Sequence, residues 1–171
     1  MRRPATPSEI YKIMVLADFL FGRGAGSALL YGKDIYVERS KATGKIRHVY
    51  VNGKRVMSIR AHDGMISLSL EGARRLQKAF KFPKLRVVVK DDVAEFIKKG
   101  RDVFAKHVVQ VDKNIRPGME VIVVNQSDDL LAVGRAVLSG EEMILLNRGV
   151  AVRVRRGIYE EDKSKTAEKN D

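Results

Sequence analysis

Apolar residues at Ile10, Ile13, Met14 and Ala17 recur at helical spacing, and Leu20 and Phe21 continue the stripe. Pro7 and Ser8 suit the entrance of this helix, and Gly22-Arg23-Gly24-Ala25-Gly26 interrupts it. Residues 27–30 offer only a short element of ambiguous type. The periodicity then falls to two. Strands are predicted at Ile35–Arg39, Ile46–Val51 and residues 55–60, with Asn52-Gly53 as a strong hairpin signal. After a turn at 62–64 and an apolar run at 65–70, Ser69 is placed to cap a helix reaching about Lys81. Ala73, Leu76 and Phe80 would face the sheet, leaving Arg74, Lys78 and Lys81 as a basic row on the other side.

Pro83 marks the predicted boundary between a first domain, residues 1–82, and a second, residues 83–158. The second opens with a short β-branched strand at 85–89. Asp91 is placed to cap a helix with Val93, Phe96 and Ile97 as its buried stripe, Glu95 and Lys99 as an i,i+4 pair, and Gly100 as its terminator. Further strands are predicted at 103–109, 120–125, 130–137 and 150–155, separated by turns at Pro117-Gly118 and 126–129 and a short helix at 139–146. Several short strands with a long crossover favour a small closed or partly closed barrel. Residues 159–171 are charged and nearly devoid of apolar anchors, which predicts a disordered tail.

Charge adds a partner class to this picture. The 33 Lys and Arg against 21 Asp and Glu leave a net +12 on 171 residues. The excess is uneven: +10 in residues 1–82, +4 in 83–158 and −2 in 159–171. Such a balance favours a polyanion and salt-dependent binding. The absence of cysteine excludes disulfides, thiolate catalysis and cysteine-bound zinc or iron–sulfur centres. The longest apolar runs fall far short of the roughly 20 residues needed to cross a bilayer, and no signal-like apolar segment opens the chain. The expectation is a soluble, cytoplasmic protein with no membrane partner.

Residues 100–107 (Gly-Arg-Asp-Val-Phe-Ala-Lys-His) follow a strand and helix, and Pro117-Gly118-Met119-Glu120-Val121 leads into another strand. With Leu131-Ala132-Val133-Gly134-Arg135-Ala136 and Gly149 before Ala151-Val152, this order resembles the PUA domain, an RNA-binding module. The front half carries Ala17-Asp18-Phe19-Leu20-Phe21-Gly22, Gly44-Lys45-Ile46-Arg47 and Arg60-Ala61-His62-Asp63-Gly64. It resembles the domain that precedes PUA in archaeal tRNA-guanine transglycosylases and related archaeosine proteins. The resemblance implies a two-domain α+β fold: a small layered α/β domain with an antiparallel sheet, then a PUA-like β pseudobarrel. In that family these domains engage tRNA, while a separate barrel with catalytic aspartates and a cysteine-bound zinc exchanges the base. The chain has neither that barrel's length nor any cysteine. The resemblance therefore implies a non-catalytic, tRNA-directed accessory that needs no cofactor and acts beside a separate RNA-modifying enzyme. A small RNA-processing enzyme, or a protein-interaction subunit of a ribosome-biogenesis or translation complex, stands as the alternative.

The resemblance places RNA near the helix-to-strand junction, here Gly100, Arg101 and Lys106. Gly100 lacks a Cβ and permits a close phosphate approach, while Arg101 and Lys106 supply charge. Phe104 reads as core and His107 as structural. Arg153 and Arg155 share a strand face by period-two alternation, and Arg156 extends this basic strand end. Together with Arg74, Lys78 and Lys81, these are the candidate RNA-binding residues. Gly22 to Gly26 invites a phosphate-loop reading, but it lacks Walker A spacing and follows a helix, so a plain turn is favoured. His62-Asp63 has no visible nucleophile, and the three histidines without cysteine suggest neither a catalytic nor a metal site.

Overall fold

Residues 1–161 are described by the computed structural model of the chain. They fall into two units, the first Met1–Phe80 and the second from Lys81 onward. In the first, β1 (Arg2–Pro4), β2 (Ile35–Arg39), β3 (Ile46–Val51), β4 (Lys54–Ile59) and β5 (Ile66–Leu68) form an antiparallel sheet in that order. Strand β1 has no apolar alternation to announce it, and it pairs along one edge, where Pro4 is tolerated. Helix α1 (Pro7–Phe21) begins at Thr6, whose hydroxyl and the Glu9 carboxylate form a reciprocal capping box. The buried side of α1 is Glu9, Ile13, Ala17 and Phe21. Ile10, Met14 and Leu20, expected in the stripe, are only half-buried.

Glu9 is 8% exposed, and its carboxylate accepts bonds from both Arg3 Nη atoms at 2.8 Å and from Arg39 Nη2 at 2.9 Å. The helix start, edge strand β1 and strand β2 are thereby joined at one buried charge. The ambiguous residues after the glycine run belong to α2 (Ala25–Leu29). Gly26 is obligatory there: a Cβ would come within 2.6 Å of Met14 Cα, and its N–H donates to Asp18 Oδ1 at 2.7 Å. The glycine run thus turns the chain and gives that amide to an internal carboxylate.

Helix α3 (Leu70–Ala79) starts at Ser69, which accepts the Gly72 N–H at 3.0 Å. It stops two residues before the predicted end, because Phe80 turns extended at φ −103°, ψ 133°. Lys81 therefore lies beyond the helix, and the predicted basic row is not continuous. Phe80 is half-buried.

The second unit holds β6 (Arg86–Val89), α4 (Ala94–Lys98), β7 (Val103–Phe104), β8 (Val108–Val111), β9 (Glu120–Val124), β10 (Leu130–Ala136), α5 (Gly140–Leu146) and β11 (Val150–Gly157). The six strands order as β7-β11-β10-β9-β6-β8, with only β6 and β9 parallel. This is the nearly closed, barrel-like mixed sheet of the predicted pseudobarrel. Val87, Val89, Ile97, Val103, Val121, Leu131 and Val152 lie in its core.

Several local expectations change in this unit. The single strand expected at 103–109 is broken by a 3-10 turn, Ala105–His107, because β7 pairs with β11 while β8 pairs with β6. Asp91 does not cap α4; it opens a 3-10 turn, and its carboxylate accepts the Gln126 N–H at 3.0 Å. Glu95 pairs with Lys98 at 3.0 Å rather than with Lys99. Phe96 is 58% exposed, because a helix this short buries only Ala94 and Ile97. Arg86 sits inside an apolar strand at 1% exposure, held by Asp128 at 3.2 Å and the Lys84 carbonyl at 2.8 Å. Residues 158–161 are helical, so the predicted tail starts with structure; its remainder, residues 162–171, lies outside the described residues. No helix of the described residues is long and apolar enough to cross a membrane.

The Glu9 cluster has a measurable acid signature. Hydrogen bonds from Arg3 hold the Glu9 carboxyl well below its ordinary 4.5, at about 2. A depressed folded-state value stabilises above the unfolded pKa, and that contribution is lost as pH falls through about 2. Glu9→Gln is expected to cost roughly 1–3 kcal/mol at neutral pH. Urea unfolding should show the gap between E9Q and wild type shrinking toward pH 2, and a gap that ignores pH would refute the assignment.

Candidate nucleic-acid interface

The outer surface of the second unit follows from strand alternation. Val103 and Val152 are paired in β7 and β11 and buried in the core, so Phe104 and Arg153 point away from it. Phe104 is 45% exposed, contrary to the core position expected of it. The Ala105 N–H donates to the Gly149 carbonyl at 2.9 Å, which brings the turn after α5 beside the 3-10 turn. Ser139 caps α5 through a second capping box, and Asn147 ends it in the left-handed region at φ 51°. Arg148, one residue before Gly149, lies on the turn that meets Ala105. Arg101, Lys106 and Arg148 are exposed and make no ion pair among the described residues.

The strand-end arginines are placed differently. Arg155 lies at a bulge where Val133 faces Arg156 and Gly134 faces Val154. From there it spans to β9 and grips Glu120 with two nitrogens, one of them 3.0 Å from Oε2. Glu120 is 4% exposed, so this pair holds a buried carboxylate. Gly134 makes the crossing possible, since a Cβ there would collide with the Arg153 carbonyl. Arg153 stands 3.5 Å from Asp102, whose other oxygen accepts the Val154 N–H at 3.0 Å. Arg156 pairs with Glu160 at 3.7 Å. Each predicted strand arginine therefore has an acidic neighbour.

Gly100 adopts φ 100°, as a helix terminator should, but its open side is taken. A Cβ there would strike the Glu160 carboxylate, brought over by the helical residues 158–161. Tyr159 secures that turn by donating to Glu95 at 2.6 Å, with Lys98 above its ring at 5.5 Å. In the first unit, Arg74 stands 4.0 Å from Glu71, while Lys78 is exposed on the same helix. Lys81 belongs to the second unit.

Sequence reasoning passed over Arg148 and Arg135, and it took Phe104, here exposed, as core. Arg135 is exposed, directly between Arg153 on β11 and Glu120 on β9. Its signal was a lone arginine inside the apolar string 131–136. Arg148 carried no periodic signal, because its position depends on how α5 ends.

Comparison with known proteins assigns both units. Residues 11–83 match the family described as the patch-forming domain C2 of tRNA-guanine transglycosylase, and residues 85–158 match the PUA domain. The tRNA-guanine(15) transglycosylase of Thermococcus kodakarensis is 47% identical over 146 residues, covering 85% of this chain and 25% of its own length. The enzyme of the same name from Methanothermobacter thermautotrophicus is 45% identical over 152 residues, covering 89% and 23%. The chain spans about a quarter of the length of these curated relatives. Among solved structures, a hypothetical protein of Pyrococcus horikoshii aligns with a TM-score of 0.73 and 26% identity over 92% of this chain and 94% of its own. A conserved PUA domain protein of Thermoplasma acidophilum gives 0.67 and 22%, covering 92% and 93%, and shares the fold.

The geometry separates two neighbouring arginines. Arg155→Ala is expected to destabilise the second unit by roughly 2–3 kcal/mol, because it strands a buried carboxylate, with a discount for the partial exposure of Arg155. Arg153→Ala, whose partner is half-exposed, should cost less than about 1 kcal/mol. Denaturant unfolding of the two variants checks the order, and equal losses would contradict it.

Proposed function

The chain joins a patch-forming C2 domain of the tRNA-guanine transglycosylase type to a PUA domain, and on that premise we propose that it is a non-catalytic RNA-binding protein directed to tRNA. The observation that carries this reading is the exposed Phe104 at the Ala105–Gly149 backbone contact, with Lys106 and Arg148 each one residue from that contact and neither in an ion pair among the described residues. Free cations at this place can exchange counterions for phosphates, and a half-exposed ring offers a face to an unpaired nucleotide at an RNA end. Arg101 extends the positive rim. Arg153, Arg135 and Arg156 form a second row whose charge is partly compensated by Asp102, Glu120 and Glu160. Arg155 serves chiefly to hold Glu120 and acts on RNA through the strand it fixes. Lys78 and Lys81 add general attraction.

A separate RNA-modifying enzyme is the partner in this reading. Two facts support it. The curated relatives named tRNA-guanine(15) transglycosylase carry most of their length outside the matched region. Helix α1 also turns Tyr11, Val15 and Phe19 outward at 70%, 50% and 82% exposure, an apolar row at four-residue spacing that a protein surface would cover. The accessory would contribute affinity and orientation for tRNA, and the enzyme the chemistry.

Purified chain should bind unmodified tRNA with an affinity that falls steeply as salt rises. Lys106→Ala with Arg148→Ala should weaken binding about ten-fold and reduce the slope of log K against log salt by about 1.5, the share of two phosphate contacts. Phe104→Ala should lower affinity with little change in slope. Filter binding over a salt series reads all three, and unchanged affinity in the double variant would move the interface elsewhere.

A further inference from the structure

The sheet of the first unit has a second polar surface that the PUA face does not explain. Its register sets Arg3, Val37, Val49, Met57 and Leu68 in one lateral row, four of them buried apolar side chains. The next row, by alternation on the opposite face, is Arg2, Glu38, His48, Ser58 and Ser67, one residue from each of the five strands. Beside it run Pro4, Tyr36, Tyr50 and Arg55.

The side chains on these rows are arranged. The Arg2 guanidinium lies 3.7 Å from the centre of the Tyr50 ring, whose hydroxyl donates to Glu38 at 3.1 Å. His48 Nδ1 is 2.8 Å from Ser58 Oγ, which fixes the imidazole in plane and leaves its other nitrogen for a further bond. Tyr36 presents its ring at 37% exposure next to Tyr50. Arg2 and Arg55 are exposed and form no ion pair among the described residues, while Glu38 is engaged by Tyr50. Burial lowers the proton affinity of His48, and the charges of Arg55, Arg47 and Arg2 lower it further against the opposing pull of Glu38.

Exposed arginines, a partly exposed ring and an imidazole with one nitrogen unengaged suit one class of ligand. A duplex buries its base faces in its own stack, so an exposed ring beside exposed cations favours an unpaired nucleotide. We propose that the outer face of the N-terminal sheet is a second RNA site that takes an unpaired nucleotide, with its base on Tyr36 and its phosphates at Arg2 and Arg55. His48 reads the base edge as a neutral donor or acceptor. This inference rests on the RNA-binding function proposed above but uses none of the same residues.

The test uses the full chain, a short single-stranded oligouridylate and a blunt RNA duplex. Ring resonances of Tyr36 and His48 should shift on adding the single strand and stay in place on adding the duplex. Tyr36→Ala should weaken oligouridylate binding about ten-fold, the scale of one base–aromatic stack, while Tyr36→Phe keeps it. Arg55→Gln, at an exposed position, should weaken it several-fold and flatten the salt dependence. Lys106→Ala with Arg148→Ala should leave the His48 and Tyr36 shifts intact. Single-strand binding that moves only resonances of the second unit would overturn this site and leave the PUA interface standing. Equal shifts from duplex and single strand would overturn the unpaired-nucleotide assignment. If neither oligouridylate nor tRNA moves resonances of either unit, both proposals fall.

Discussion

Two-residue alternation of the strands decides where chemistry can sit in both units. Burying Val37, Val49, Met57 and Leu68 obliges Glu38, His48, Ser58 and Ser67 to occupy the other surface, and burying Val103 and Val152 turns Phe104 and Arg153 outward. A slip of one residue in either sheet would exchange core and interface at once. Register is therefore worth protecting. In the first unit it is reinforced by the hairpin at Asn52-Gly53, with Asn52 and Gly53 both at positive φ, and in the second by the Gly134 contact against β11.

Two buried carboxylates then sort the arginines into those that hold the fold and those left for a ligand. Glu9 engages Arg3 and Arg39, and Glu120 engages Arg155. A third internal pair, Arg86 with Asp128, closes the region after β9. Removing the partner of Glu9, Glu120 or Arg86 would leave a buried charge unpaired. The +12 is already net of such pairs, so they decide which arginines are accessible and leave the excess itself unchanged. Lys106 and Arg148 in one unit and Arg2 and Arg55 in the other are among the exposed cations that form no ion pair among the described residues.

Acidic neighbours also shape the interface itself. Asp102, Glu120 and Glu160 stand beside the basic strand end, and Glu160 lies where the open side of Gly100 would admit a phosphate. In the proposed interface a polyanion would meet repulsion there as well as attraction, which would favour an approach from the side of Phe104, Lys106 and Arg148. Charge opposed by charge restricts orientation more than a uniformly basic patch would.

The sequence by itself determined the elements whose signals are local: α1 from its apolar spacing, α3 from its serine cap, the β3–β4 hairpin from Asn52-Gly53, and the two-domain family pattern from its motifs. Each depends on residues within one or two turns of one another, where propensity, capping and period act directly. Only the tertiary structure decided which cations are free, that Phe104 and Phe96 face outward, and that residues 103–109 break into two strands. Those outcomes depend on partners far away in the chain, such as Glu120 for Arg155, 35 residues apart, and Asp102 for Arg153, 51 apart. Strand 103–109 divides because its two ends pair with opposite edges of the sheet. Burial and ion pairing are properties of neighbours in space, and the order of strands in a sheet brings those neighbours together.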